Sequence, residues 1–368
     1  MTTLGEIVRQ YGEAYRARYG EQMPPSHEAA LRAIEACRTE ALGGRVYRCD
    51  ACQSSHYSYH SCRNRHCPLC QHQAAQQWLE CQQALLLPVP YFLVTFTLPS
   101  GLRDVAYRHQ REVYNAFFRA SAAALQQLAR DERFVGGQIG MLGVLQTWTR
   151  DMRYHPHIHF LVPGGALSED GQRWLSSKAE FFVHVKPLSR LFRAKMRAAL
   201  RESCFYDEIA PAVWEHEWVV DCRGVGSGRA ALKYLAPYIY RSAVSNNRIV
   251  GVEDGHVTFT YRQGETGERR ECRLEAVAFL HRYLQHVLPK GFVKVRYYGL
   301  FRVGARRALA RLHGRLWLMA SLARLEELEE VEEPKVVREL RCPKCGALLR
   351  LERELARVRA PPRGALQG

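Results

Sequence analysis

Residues 155–167 read His155-Pro-His157-Ile-His159-Phe-Leu-Val-Pro-Gly-Gly-Ala-Leu. Strict alternation of polar and apolar residues predicts a β-strand, with His157 and His159 on one face and Ile158 and Phe160 on the other. The preceding run, MLGVLQTWT over 141–149, has the same character and is separated by a short polar turn around Asp151-Met152, so the two predict a hairpin. A further strand, YFLVTFTLP, starts at Tyr91, and a helical pattern fills about 105–130 between them. Later helical patterns fall near 187–202, 227–240 and 274–287, with a late strand in DGHVTFTYR. Strands and helices therefore mix, with hairpin-type strand pairing, which is an α+β organisation.

Two histidines on one strand face can converge on one metal ion. A third ligand would still leave positions open for water and a substrate oxygen, as a Lewis-acid centre requires. If the turn after MLGVLQTWT is even in length, Gln146 lies opposite His157 on the same face. An odd turn puts Gln146 on the other face and makes His155 the better candidate.

The 368 residues carry 53 Lys+Arg against 37 Asp+Glu, a formal charge of +16, with 47 % apolar and 24 % charged residues. This composition excludes global disorder, and the positive excess favours a polyanionic partner. The N-terminal residues lack an apolar leader core, and the window Ala84–Leu102 is interrupted by Pro88, Pro90 and Pro99. A soluble cytoplasmic protein without a membrane span is expected. There is no GxxxxGK[ST] phosphate loop and no internal repeat.

In a reducing compartment the twelve cysteines point to metal and not to disulfides. Cys49, Cys52, Cys67 and Cys70 form C-x2-C-x14-C-x2-C, a spacing that suits a tetrahedral structural zinc, with Gly43-Gly44 leading into the first pair. Cys37, His60, Cys62, His66 and His72 lie close enough in sequence to build a second site. Cys342 and Cys345 lack two neighbouring ligands, and either borrow them or are a remnant.

Tyr234 and Tyr238, in KYLAPYIYR, are four apart, the spacing of one helical face. Together with HIH and the cysteine pairs, they make the chain resemble the HUH endonucleases, and more closely the two-tyrosine transposases of the insertion sequence 91 family. The matching segments are CRTEALGGRVYRCDAC, SCRNRHCPLCQ, HPHIHFLVPGGAL, KYLAPYIYRSAVSNNRI and HVLPKGFVKVRYYGL, in the family's order over roughly 30–310. The resemblance implies an N-terminal zinc-binding module followed by an HUH-type nuclease domain, an antiparallel sheet flanked by helices. It implies zinc on Cys49, Cys52, Cys67 and Cys70, and magnesium or manganese on His157 and His159, with Gln146 where the family carries a histidine. It implies Tyr234 and Tyr238 as nucleophiles that cleave and rejoin single-stranded DNA through a 5′-phosphotyrosine. Pro237, between the tyrosines, departs from the family pattern and kinks or restarts the helix there.

The implied partners are single-stranded DNA at an element's ends and target DNA. The cations expected to contact it are Lys233, Arg241, Lys290, Lys294 and Arg296, the last three in an acid-free basic run over 290–315 that also holds Phe292, Tyr297, Tyr298 and Phe301. The expected domains are 1–90 (helical and zinc-binding), 91–300 (nuclease) and 301–368 (a basic, then acidic tail with a lone CxxC). A plasmid rolling-circle initiator or relaxase is the alternative within the class. A non-catalytic zinc-dependent DNA-binding protein is the alternative outside it.

Overall fold

The computed structural model describes residues 2–70, 72–83, 85–178, 181–230, 232, 235, 243–264, 266–323 and 340–358. Helix α1 (Leu4–Tyr19) opens on a capping box, in which the Thr3 side chain accepts from the Glu6 amide and the Glu6 carboxylate accepts from the Thr3 amide. Helix α2 (Pro25–Glu35) begins at Pro25, whose fixed φ and missing N–H suit the first helical position. Strands β1 (Gly44–Cys49) and β2 (Ser55–Tyr59) form a hairpin, followed by α3 (His72–Gln83). Strand β3 (Pro90–Thr97), helices α4 (Arg103–Arg108) and α5 (Gln110–Arg130), and strands β4 (Gly140–Trp148) and β5 (Tyr154–Pro163) come next.

A small hairpin, β6 (Gly165–Leu167) and β7 (Trp174–Ser176), precedes α6 (Val185–Leu200) and β8 (Val220–Ser227). Three strands, β9 (Ile249–Glu253), β10 (His256–Arg262) and β11 (Arg269–Glu275), then form a sheet of their own before α7 (Ala276–Leu284). The chain closes with β12 (Val295–Gly299), α8 (Arg306–Ala323) and β13 (Leu349–Leu355).

The central sheet has the order β12-β4-β5-β3-β8, every pair antiparallel. The strand that carries the histidines is its middle member, so both neighbours fix its register. One face (Phe92, Val94, Phe96, Ile158, Phe160, Met141 and Leu145) packs on α5 and α6 and forms the largest core. On that face Gly143 lies under the Phe160 ring. A Cβ there would stand 2.6 Å from that ring, so the close strand–ring packing needs glycine. The opposite face carries Tyr91, Leu93, Leu142 and Leu161, against which Leu232 and Leu235 are buried.

The termini do not stand apart. α1 and α2 share a core with Phe259, Phe279, Leu280 and Tyr283 from the β9–β11 sheet and α7. Residues 340–358, expected as a tail, return to the N-terminal hairpin, where β13 adds to β1 to give the sheet β13-β1-β2. Gly43 and Gly44 serve this junction and not a metal knuckle. Gly43 has φ +68°, and a Cβ on it would lie 2.4 Å from the Leu355 carbonyl oxygen; one on Gly44 would lie 2.6 Å from that of Ser58. No helix among the described residues is long and apolar enough to cross a membrane.

Candidate metal centres and nucleic-acid cleft

Eight cysteines gather into two clusters, Cys37 with Cys62, Cys67 and Cys70, and Cys49 with Cys52, Cys342 and Cys345. Sulfur pairs stand 3.4–3.6 Å apart in the first (Cys37–Cys70, Cys62–Cys70, Cys67–Cys37) and in the second (Cys49–Cys345, Cys52–Cys342). Four thiolates at about 2.3 Å from a tetrahedral zinc would be about 3.8 Å apart, so both sets suit zinc with little adjustment. Among the described residues no cysteine is in a disulfide.

The single site expected on Cys49, Cys52, Cys67 and Cys70 is thereby divided. The β1–β2 hairpin turns its cysteine pair toward the strand that returns from the C-terminus. The Cys67–Cys70 turn instead faces the end of α2, where Cys37 is buried. The C-terminal pair borrows its partners, and Cys37 and Cys62 belong to the other cluster. His56 and His66 stay outside both sets; the His56 ring lies 3.3 Å from the Cys342 sulfur, and the His66 ring accepts from the Leu288 amide.

A third candidate centre is on the central sheet. The register pairs Gln146 with His157 across β4 and β5, and Thr95 with His159 across β3 and β5, so all four side chains share the face on which Leu232 and Leu235 pack. The turn itself is odd in length, since Trp148 pairs with Tyr154 and Met152 turns the chain with φ 64°. A β-bulge between Gln146 and Trp148 shifts the register by one and restores the Gln146–His157 pairing that an even turn would give. The rings of His157 and His159 are perpendicular with centroids 4.8 Å apart. Nδ1 of His157 donates to the His155 carbonyl at 2.7 Å, and Nδ1 of His159 lies 2.9 Å from the Thr95 hydroxyl. A ring that donates from Nδ1 carries its lone pair on Nε2, the state in which imidazole ligates metal. Burial pushes the two rings down to about 4 and about 3, so both are neutral at physiological pH.

Gln146 is 7 % exposed. Its Nε2 donates to the Trp148 carbonyl at 3.1 Å, while its Oε1 is buried with no hydrogen-bond partner among the described residues. An unpartnered buried carbonyl oxygen beside two neutral imidazoles fits a divalent cation well, since amide oxygen suits a hard ion. His155 is engaged elsewhere, its Nδ1 accepting from Arg103 at 2.8 Å.

These residues form the floor of a cleft of about 700 Å³ whose walls are the β4–β5 turn, residues 243–248 and the tip of the β10–β11 hairpin. Arg150, Arg153, Arg248, Arg262 and Arg270 line it, with Tyr261 as an aromatic wall. Arg248 ties the walls together by donating to the carbonyls of Thr260, Ala243 and Arg150, and Arg150 donates to that of Gln263. Among the described lining residues five arginines stand against one acid, Asp151, which pairs with Arg153, so this surface is cationic and chemically suited to phosphates. Sequence reasoning missed these arginines and Tyr261. The only sequence signal was that Arg248 falls in one of the quoted family segments.

The expected nucleophiles Tyr234 and Tyr238, with Lys233, Pro237 and Arg241, lie outside the described residues. Of the remaining expected DNA contacts, Lys290 is exposed. Lys294 is enclosed by His66, Trp148, His286 and Leu288, and burial beside the Arg65 charge pulls its ammonium down to about 7. Arg296 stacks over Phe118, 4.3 Å from the ring centroid, and donates to Asn115. As placed, Lys294 and Arg296 serve the fold. In the basic run, α8 buries Leu309, Leu312 and Leu316 and exposes Arg306, Arg307, Arg311 and Arg315.

An antiparallel sheet with paired histidines on its central strand, flanked by helices and joined to four-cysteine clusters, defines an HUH-nuclease-like protein with a zinc-binding module. Comparison with known families agrees. A family described as "Transposase zinc-binding domain" matches residues 7–98, and one described as "Putative transposase" matches 140–308. The chain is 40 % identical over 317 residues to "Putative transposase y4qJ" of Sinorhizobium fredii, covering 80 % of this chain and 79 % of that one. It is 29 % identical over 297 residues to the "Transposase for insertion sequence element IS801" of Pseudomonas savastanoi pv. phaseolicola, covering 74 % and 71 %. No solved structure matches significantly. The chain belongs to the IS91-type transposases.

Proposed function

We propose that this transposase cleaves and rejoins single-stranded DNA through a 5′-phosphotyrosine made by Tyr234 or Tyr238, and so drives rolling-circle transposition of an insertion sequence. The observation that carries the reading is the Gln146 Oε1, without a partner among the described residues, beside His157 and His159 on the floor of an arginine-lined cleft. Magnesium or manganese held by these three would polarise the scissile phosphate and stabilise charge on its oxygens. The remaining parts belong to the chain. Thr95 and the His155 carbonyl orient the imidazoles, and the cleft arginines position the strand by its phosphates.

The tyrosines' place in the chain supports their role. Leu235 is buried on the histidine face and Ala243 lines the cleft, with Tyr238 between them in sequence. A tyrosine hydroxyl attacks the phosphorus and expels the 3′-oxygen, so one ester replaces another. The phosphoryl group stays activated and no ATP is needed, in keeping with the missing phosphate loop. Zinc on the two four-cysteine clusters supplies folding free energy and leaves no open position for catalysis.

The test is adduct formation. With manganese or magnesium the protein should give an SDS-resistant complex on single-stranded but not on fully duplex DNA, and His157→Ala and His159→Ala should each abolish it. Unchanged cleavage in both histidine variants would remove the metal assignment.

A further inference from the structure

We propose that α6 carries a second DNA-binding tract, for the phosphate backbone, on the opposite side of the central sheet from the catalytic cleft. Arg190, Arg193, Arg197 and the C-cap residue Arg201 recur every three or four residues and so lie along one helix face. With Trp214 they line a groove of about 360 Å³. The sequence VKPLSRLFRAKMRAAL holds no acid. Its other face, through Leu188, Phe192 and Met196, is locked into the core under the sheet, so the arginine row is held toward solvent.

Structural roles account for only part of this row. Arg193 donates to the carbonyls of Glu215 and His216, and Arg197 to the Tyr206 hydroxyl. Charge at the helix C-terminus explains Arg197 and Arg201 by the helix dipole, but not Arg190 in the first half. Among the described residues none of the four is in an ion pair, although the chain pairs arginine with acid at Arg16, Arg32, Arg45, Arg108 and elsewhere. About eleven residues at about 1.5 Å per residue make the row about 16 Å long, the rise of about five nucleotides along a strand. A regular cationic row of that length fits a polyphosphate better than a single anion. Because it faces away from the histidines, it takes DNA other than the scissile phosphate.

The experiment is equilibrium binding at several salt concentrations, with a single strand and a duplex as separate probes. Arg190→Gln, Arg197→Gln and Arg201→Gln are combined, and Arg193 is left to hold its carbonyls. Losing three phosphate contacts should flatten the slope of log K against log salt by about 2.7 for duplex or about 2.1 for single strand. A change in either arm supports the tract and names its ligand, and the corresponding Arg→Lys variant should restore the slope. Unchanged slopes in both arms overturn the proposal. Arg190→Gln alone, which leaves the Arg193 and Arg197 hydrogen bonds in place, should flatten the duplex slope by about 0.9 or the single-strand slope by about 0.7, and serves if the triple variant does not fold. Cleavage of a short single strand should be unaltered in every variant. If even the wild type fails to cleave, the catalytic reading falls while the binding result stands.

Discussion

Replacing Gln146 by Leu separates metal binding from chemistry. The side chain is buried, donates once to the Trp148 carbonyl, and leaves Oε1 without a partner among the described residues. A buried acceptor left unpaired costs about 1–3 kcal/mol, and the bond it accompanies is worth about 1 kcal/mol. Without divalent cation, Gln146→Leu should therefore lie between neutral and about 2 kcal/mol more stable than the wild type. Manganese reverses the order. At a concentration of about 100 times Kd it should stabilise the wild type by about 2.7 kcal/mol, whereas the variant, lacking one of three ligands, gains little. Urea unfolding of zinc-loaded protein with and without manganese measures both quantities, and Gln146→His should keep the manganese response. If the Leu variant gains as much from manganese as the wild type, Gln146 is not a ligand.

Further outcomes follow from the same geometry. Purified protein should hold two zinc ions per chain, and Cys342→Ser should release one of them while the one on Cys37, Cys62, Cys67 and Cys70 stays; elemental analysis of the variant decides this. His27 and His286 are buried and pushed down to about 4, so the folded chain keeps them neutral while the unfolded chain protonates near 6.5. Their contribution is complete above about pH 6.5 and is lost toward pH 4, at about 2.7 kcal/mol per pH unit for two protons. A flat unfolding free energy between about pH 7 and pH 5 would contradict it. If both tyrosines act, Tyr234→Phe and Tyr238→Phe should each abolish transposition but leave some nicking. If Pro237 has displaced one, a single substitution removes both activities and Pro237→Arg raises activity.

The sequence announced the central sheet because its strands alternate cleanly and carry their own chemistry. Two histidines two apart cannot avoid sharing a strand face, but Gln146 comes opposite His157 through a β-bulge between Gln146 and Trp148 that offsets an odd turn, which the sequence did not signal. What escaped was every pairing over long separations. Cys49 meets Cys345 across 296 positions, and β1 meets β13, because closing such loops leaves no local periodicity to read. Two CxxC pairs close in sequence looked self-sufficient, and only the folded hairpin shows that each faces a different partner. The cleft arginines were hidden for a similar reason. Arg150, Arg248 and Arg270 come from three separate segments and become one surface only when the β9–β11 sheet folds beside the β4–β5 turn. Lys294 and Arg296 mislead in the opposite sense. A basic run looks like a DNA surface, but its strand β12 pairs into the central sheet, and both side chains are taken up by Trp148 and by Phe118 and Phe292.

The central claim is that a tyrosine of the 234–238 pair becomes covalently joined to DNA. Peptide mapping by mass spectrometry of a trapped complex on single-stranded DNA from the element's own ends tests it most directly. The account predicts a nucleotide-modified peptide with phosphate on Tyr234 or Tyr238, absent from the Tyr234→Phe, Tyr238→Phe double variant. A DNA adduct that maps to another residue, or one that persists undiminished in that double variant, would contradict it.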